Sequence, residues 1–562
     1  MRLFRIHIVI LAVMIVTATA SFAQNTRPSF DRDSNFDVQH YTLRVSFDHA
    51  KRTVFGDTSV FLKPIKNDLR SVELDAKDLK FEKITIGRSD LGLKYVLTKD
   101  SKVQVNLDRS YGPDETIELR FKYSAKPKKG VYFVDEKKDK DKLVNPSQIW
   151  TQGEPDEARH WFPSFDFPSD KATSEQIITV QKGQIVIGNG VLLSQKENAD
   201  GTDTFHYKMD IPHPTYLISF VVGDYVKIED KYRDIPLGYY MYRGTEYVAP
   251  RAYGKTKEIF SAFEELTKID YPFNKYDQTI VANFAFGGME NITATTMADS
   301  EIFYANIDFL RGAVEDLVSH EIAHSWFGNN VTCKNWAELW LNEGFATFLE
   351  AAVREKMYGR SDYIRKILVD AESFLDDAAA NSKPMSLYNL NAGNLATLFD
   401  RPAVTYNKGG AVVHQLREQV GNEAFWKGVN IYLTRHRFGS VETSDLIRAM
   451  EEASGQKLDW FFDQWVYASG HPKLDLKAAF DEKKHQLSIT VAQTHRSDKF
   501  GRSAYRLPLE VQLTINGKTV VEKIDIDQRN STHSLKAEVK PSAITIDPEN
   551  KIPLMVTKLD YK

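Results

Sequence analysis

The chain has a single cysteine in 562 residues, so no internal disulfide can brace it. It also lacks a cationic surplus. With 73 Lys and Arg against 77 Asp and Glu the net charge is −4, which argues against a nucleic-acid partner held through backbone phosphates. Internal repeats and low-complexity tracts are missing as well. Long apolar runs are scarce: one runs from Ile6 to about Ala20, behind Arg2 and Arg5 and ahead of Ser21-Phe22-Ala23, whose small residues suit cleavage after Ala23. That run is shorter than the ~20 residues a membrane-spanning helix needs. Residues 1–23 are therefore expected to be a secretory signal peptide, and the mature chain an exported protein, periplasmic or secreted, without stable membrane insertion.

Core material is plentiful. Hydrophobic residues make up 42% and aromatic residues 12% of the chain, which excludes wholesale disorder. At ~100–200 residues per domain the length predicts three or four domains. Apolar and polar residues alternate from His40 to Phe47 and again from Val54 to Leu62, the mark of half-buried strands, and similar short runs continue to about Val226. Residues 24–228 are expected to form an all-β domain. From about Ala249 helical spacing takes over, in Ala252 to Leu266, Leu310 to Gly328, Glu338 to Lys356, Ser361 to Ala378, Gly409 to Val420 and Thr443 to Ala453, with a β element near Gln278 to Phe284. Residues 229–470 read as this helix-rich domain. Alternation returns after Gly470-His471-Pro472, so residues 471–562 are expected to be a small β-sandwich. The fold class is multidomain α+β.

The chemically informative stretch is Ser319-His320-Glu321-Ile322-Ala323-His324. On a helix, His320 and His324 fall within ~40° of each other, one turn apart, so both imidazoles can face one metal ion. Glu321 projects beside them, where a carboxylate can take a proton from water acidified by the metal. Leu310, Ala313, Val314, Leu317 and His324 are expected to form one stripe of this helix, with Arg311, Glu315 and Asp316 opposite. Glu343 follows His324 by nineteen residues on the next predicted helix. A His₂Glu set with an open fourth position is a catalytic zinc geometry rather than a closed structural one. Glu350 lies seven residues beyond Glu343 on the same helix face, placed to hydrogen-bond a ligating imidazole, although an ordinary solvated glutamate fits that spacing equally. Cys333 reads as a buried structural thiol.

Three further segments accompany these residues. Trp326-Phe327-Gly328-Asn329-Asn330-Val331 follows the second histidine, Asn342-Glu343-Gly344-Phe345-Ala346 contains the third ligand, and Gly287-Gly288-Met289-Glu290-Asn291 precedes them. Together with Thr151-Gln152-Gly153-Glu154-Pro155 and Phe162-Pro163-Ser164-Phe165-Asp166, these segments make the chain resemble the gluzincin aminopeptidases of the aminopeptidase N type, over about His40 to Pro472. The resemblance implies a zinc peptidase fold of thermolysin-like kind and one zinc ion on His320, His324 and Glu343. It implies Glu321 as general base and Tyr406, in Tyr406-Asn407-Lys408-Gly409, as donor to the oxyanion. Glu290 and Glu154, with Gln152 beside the latter, would hold the α-ammonium of a peptide with a free N-terminus. Gly287 and Gly288 would pair with substrate backbone, and Met289 would line the first side-chain pocket.

Ser164 and Phe167 depart from the family's run, and the chain stops where larger members continue into a long helical domain, so a shallower cleft is expected. An epoxide hydrolase resembling leukotriene A4 hydrolase shares the zinc motif, but it needs a tyrosine and an aspartate at positions occupied here by Arg401 and Leu398. A catalytically silent peptide-binding protein on the same scaffold is the other alternative.

Overall fold

The computed structural model describes residues 27–561, apart from 88, 90, 140, 141 and 497–500. The expected signal segment, residues 1–23, lies outside the described residues. The two alternating runs near the start become the paired strands Phe36–Asp48 and Thr53–Pro64. They lie inside a seven-stranded sheet in which Phe36–Asp48 also pairs in parallel with Ala172–Gln181. Val60 and Leu62 are fully buried at the period of two, and Val38 and Leu43, five residues apart, are both fully buried across the register shift between Val38 and His40. A four-stranded sheet of Ile185–Gly188, Phe220–Gly223, Gln148–Thr151 and Val131–Val134 closes the same apolar core.

Residue 228 falls within the strand Tyr225–Tyr232, so the β structure does not stop there as expected. That strand pairs with Ile235–Tyr242, which in turn pairs in parallel with Tyr276–Val281. The resulting five-stranded sheet continues through Ala294–Ala298 to the two-residue strand Gly288–Met289 at its edge. Tyr276–Val281 is buried along its whole length, consistent with its central place in the sheet.

Seven longer helices follow or flank this sheet: α1 (Thr256–Thr267), α2 (Arg311–Ala323), α3 (Trp340–Tyr358), α4 (Arg360–Ala380), α5 (Gly409–Val420), α6 (Asn422–Arg435) and α7 (Thr443–Ser454). Every residue of α3 from Trp340 to Leu349 is buried, so this helix forms the centre against which α2, α4 and α5 pack. The stripe expected on α2 divides between core and cleft. Val314 and Val318 face the core, whereas Ala313 is exposed and lines a cleft together with Leu317. The sequence pattern also gave no notice of α6, whose Phe425, Val429 and Leu433 are fully buried.

The last part of the described chain is two facing sheets, Asn530–Lys536, Gln486–Gln493, Lys473–Asp481 and Val556–Tyr561 in one, and Lys518–Ile526, Leu507–Ile515 and Ala543–Ile546 in the other. Their inner residues, such as Leu476, Ile489, Leu509 and Val511, join the helical core through Phe461, Trp465 and Tyr505.

Candidate active site

Helix α2 ends at Ala323, but His324 keeps helical angles of φ −57° and ψ −22°, so the one-turn spacing of His320 and His324 survives. Their rings lie 4.7 Å apart at 78°. From the first turn of α3, Glu343 brings Oε2 to 3.2 Å from Nε2 of His320 and 3.4 Å from Nε2 of His324. The three ligand atoms lie within 4.8 Å of one another, a set able to hold one metal ion. Each imidazole is oriented through its other nitrogen. Nδ1 of His320 sits 2.8 Å from Oε1 of Glu350, and Nδ1 of His324 sits 2.9 Å from the Phe327 carbonyl. Both partners accept, so each Nδ1 carries a hydrogen; without a metal each Nε2 faces Glu343 as a donor, and with one bound it would turn its lone pair to the ion.

Backbone contact sets how closely the site's helices approach. A Cβ placed on Gly344 would lie 2.9 Å from the Cα of Gly409, and one on Gly409 would lie 2.8 Å from the Cα of Gly344. Helices α3 and α5 therefore touch main chain to main chain one residue after Glu343. Phe327 and Phe345 stack at 4.3 Å and fix the exit of α2 against α3, while the buried Cys333 donates its backbone N–H to Oδ1 of Asn342 at 3.0 Å. Just before α5, residues Ala403–Lys408 form a π-helical turn that carries Tyr406. The phenol ring lies roughly parallel to His320, 5.9 Å away. Burial, and then the nearby carboxylates of Glu343 and Glu154, hold its pKa well above 10, so Tyr406 remains a donor.

The other end of the cleft collects carboxylates. Glu290 follows the edge strand Gly288–Met289, and its backbone carbonyl accepts 2.8 Å from Nδ2 of Asn329. Glu154 follows the strand Gln148–Thr151, and Gln152 places Nε2 3.3 Å from the sulfur of Met289. A Cβ on Gly288 would lie 2.3 Å from Oε1 of Glu321, so only glycine lets that carboxylate pack against the strand. One oxygen each of Glu154, Glu290 and Glu321 is buried without a hydrogen-bond partner. A buried oxygen of this kind is costly unless a ligand completes it.

The electrostatics express the same imbalance. Burial raises Glu154 well above the usual carboxylate range, and the charges of Glu290, Glu343 and Glu321 add to the shift. Burial likewise raises Glu290, and it pushes Glu321 up to about 8 although His320 and His324 oppose it. Glu343 behaves in the opposite way: burial would raise it, but the charge of His324 and hydrogen bonds from both imidazoles bring it down to about 2. A cation beside Glu154, Glu290 and Glu321 would oppose all three upward shifts.

Every residue singled out in the sequence for the site lines one cleft of about 520 Å³, among them Gln152, Glu154, Met289, Glu290, Glu350 and Tyr406. Among the cleft residues to which the sequence assigns no role are Lys366, Asp370, Asn407 and Phe399. Lys366 and Asp370 stand at i and i+4 of α4, indistinguishable in sequence from a surface ion pair. Asn407 sits in the quoted Tyr406 segment, where its position beside the phenol was the available signal.

Residues 251–465 match the peptidase family M1 domain, and residues 37–217 match the peptidase M1 N-terminal domain. The chain belongs to peptidase family M1. Among similar proteins, aminopeptidase N of Streptomyces lividans is 32% identical over 342 residues, 59% of this chain and 39% of that one. Human glutamyl aminopeptidase is 30% identical over 338 residues, 59% of this chain and 35% of that one. In three dimensions the M1 chain overlays Legionella pneumophila aminopeptidase A, solved in complex with aspartic acid, with a TM-score of 0.79 at 19% identity, covering 94% of this chain and 60% of the other. This M1 chain thus spans only part of the length of these relatives.

Proposed function

We propose that this M1 protein is a zinc aminopeptidase that hydrolyses the first peptide bond of peptides with a free N-terminal amine. The observation that carries the reading is the juxtaposition of a His₂Glu cluster with three buried, unpartnered carboxylate oxygens on Glu154, Glu290 and Glu321. His320, His324 and Glu343 would hold the zinc ion, which would supply Lewis acidity toward the scissile carbonyl and toward water and a positive charge favouring the ionised form of Glu321. Glu154 and Glu290 receive the substrate's α-ammonium through charge-assisted hydrogen bonds, which restricts attack to the adjacent peptide bond. The edge strand Gly288–Met289 offers main chain for the substrate backbone. Glu321 accepts the proton of the attacking water and delivers it to the departing amine. Tyr406 donates its O–H to the carbonyl oxygen as that oxygen gains charge.

The relatives include proteins named aminopeptidase N and glutamyl aminopeptidase. Lys366 is the one amine or guanidinium among the described residues lining this cleft, and Glu350 and Asp370 already engage it. A first residue with an acidic side chain therefore meets no free countercharge, and neutral or basic first residues are favoured. The arginine-flanked apolar run before Ala23 supports export to the periplasm or beyond.

The epoxide reading is weaker. Arg401 lies against Asp377, with Nε 2.9 Å from each carboxylate oxygen, and Leu398 is buried, so neither supplies a hydroxyl or carboxylate to the cleft. Turnover of aminoacyl arylamides with and without a zinc chelator, and of a peptide beside its N-acetylated twin, tests the proposal. Rates that are equal on free and acetylated peptide, or unaffected by zinc removal, overturn it. No turnover at all favours a silent peptide-binding protein.

A further inference from the structure

Another part of the cleft holds a chain of half-buried polar contacts. Oε1 of Glu350 lies 2.8 Å from Nδ1 of His320, and its Oε2 lies 2.9 Å from Nζ of Lys366. The same ammonium lies 2.8 Å from both oxygens of Asp370. Oδ1 of Asp370 accepts from Nδ2 of Asn407 at 2.9 Å, and Asn407 is the residue after Tyr406. The ring of Tyr406 then lies back over His320 at 5.9 Å, so the contacts run in a closed circuit. The side chains of Glu350, Lys366 and Asp370 are 11%, 13% and 3% exposed, so water offers them little alternative bonding.

Three elements meet in this circuit. Glu350 stands on α3, Lys366 and Asp370 one turn apart on α4, and Asn407 on the π-helical turn before α5. Bidentate engagement of Lys366 by Asp370 leaves little room for either to rotate, and the amide of Asn407 is tied to the same carboxylate. Moving the turn that carries Tyr406 therefore disturbs the carboxylate that holds Lys366, and through it the carboxylate that orients His320.

We propose that Asp370, with Lys366, is a positioning residue that couples the orientation of the metal-facing imidazole of His320 to the placement of the Tyr406 hydroxyl. Asp370 is not one of the His320, His324 and Glu343 group that could hold the metal. Its effect passes through Glu350 on one side and Asn407 on the other, so substituting it disturbs metal affinity and transition-state stabilisation together. The inference rests on the zinc aminopeptidase reading, and its test includes a measurement independent of turnover.

The experiment compares wild type, Asp370→Ala, Asp370→Asn, Tyr406→Phe and the double variant Asp370→Ala/Tyr406→Phe. Zinc affinity is measured by competition with a chelating dye, kcat and KM at saturating zinc, and Tm in parallel. Asp370→Ala is expected to weaken zinc binding by ~10-fold and to lower kcat by ~10-fold, as loss of a partner behind a metal ligand typically does, with KM within about twofold. In the Tyr406→Phe background the same substitution should lower kcat by less than about threefold, because the hydroxyl it positions is gone. Asp370→Asn keeps an acceptor for Asn407 and loses the charge facing Lys366, so kcat should largely recover while zinc affinity stays reduced. Should the alanine variant fail to fold, this isosteric variant alone decides: unchanged zinc affinity overturns the proposal. An equal kcat loss with and without the Tyr406 hydroxyl, or a fall in Tm with zinc affinity and kcat both unchanged, also overturns it. A wild-type protein that binds zinc but turns over no peptide defeats the aminopeptidase reading, while the dye measurement still decides the His320 arm.

Discussion

The two ends of the cleft are built from the same side chains and behave in opposite ways. At one end Glu154 and Glu290 are buried with an oxygen left unpartnered, and both are pushed above the usual carboxylate range. At the other end Glu350 is buried to a similar degree, yet Lys366 and His320 hold it below that range despite its burial. Burial alone does not distinguish a binding group from a structural one. The difference lies in whether the folded chain completes the carboxylate or leaves it for something that arrives later.

Substitutions can break that contrast, and the largest effect is expected where both ends depend on one group. Glu343→Ala removes a metal ligand and should abolish both stoichiometric zinc and turnover, as metal analysis and an arylamide assay on the same preparation will show. Glu321→Gln keeps the ligand set, so zinc content should remain at one per chain while kcat falls by ~10²–10⁴. Tyr406→Phe removes a donor that acts on the developing oxyanion, and steady-state kinetics should show a kcat drop of ~10²–10³ with little change in KM. At the unpartnered end, Glu290→Gln and Glu154→Gln should each lower kcat/KM about tenfold to a hundredfold, from a charge-assisted bond worth ~1.5–3 kcal/mol. The loss should shrink on an N-acetylated peptide, which carries no ammonium to bind.

The smallest effects sharpen the contrast most directly, because they should differ in sign. In metal-free protein, Glu154→Gln is expected to raise Tm, since it neutralises a buried carboxylate that has no counterion. Glu350→Gln should lower Tm, because breaking a buried ion pair costs ~3–5 kcal/mol. The pH dependence follows from the direction of the Glu154 shift. Its folded pKa lies well above that of a free glutamate, so its contribution to stability is full below the ordinary carboxylate range and is lost as pH rises through the folded pKa. The gain from Glu154→Gln should therefore be larger at pH 8 than at pH 5, which thermal melts at the two pH values can measure.

Much of the metal-facing side was legible because helical periodicity alone places His320 over His324, and because short motifs travel with the residues they position. Glu350 was legible by the same periodicity, seven residues beyond Glu343 on one face. Lys366 and Asp370 were not. An i,i+4 Lys–Asp pair looks the same on a solvated helix, and only the packing of α4 against α3 and the π-helical turn turns it inward. The destination of the α2 stripe was not legible for a related reason: Ala313 and Leu317 are apolar, but they face a cleft while Val314 faces the core, and hydrophobicity does not separate those two destinations. Residue 228 was misjudged because strand alternation continues into Ile235–Tyr242, and the shift to helical texture after Ala249 lags behind the change of sheet.

The contact between Gly344 and Gly409 gives the site a fixed gauge. Because main chain meets main chain there, the separation between the carboxylate one residue before Gly344 and the phenol three residues before Gly409 is set by two absent methyl groups, not by any adjustable side chain. Sequence drift elsewhere can reshape the walls, lengthen loops or alter the charge of the cleft while leaving that spacing alone. The part of the reaction centre most sensitive to distance is therefore insulated from the part that selects substrates, and one can vary while the other stays constant.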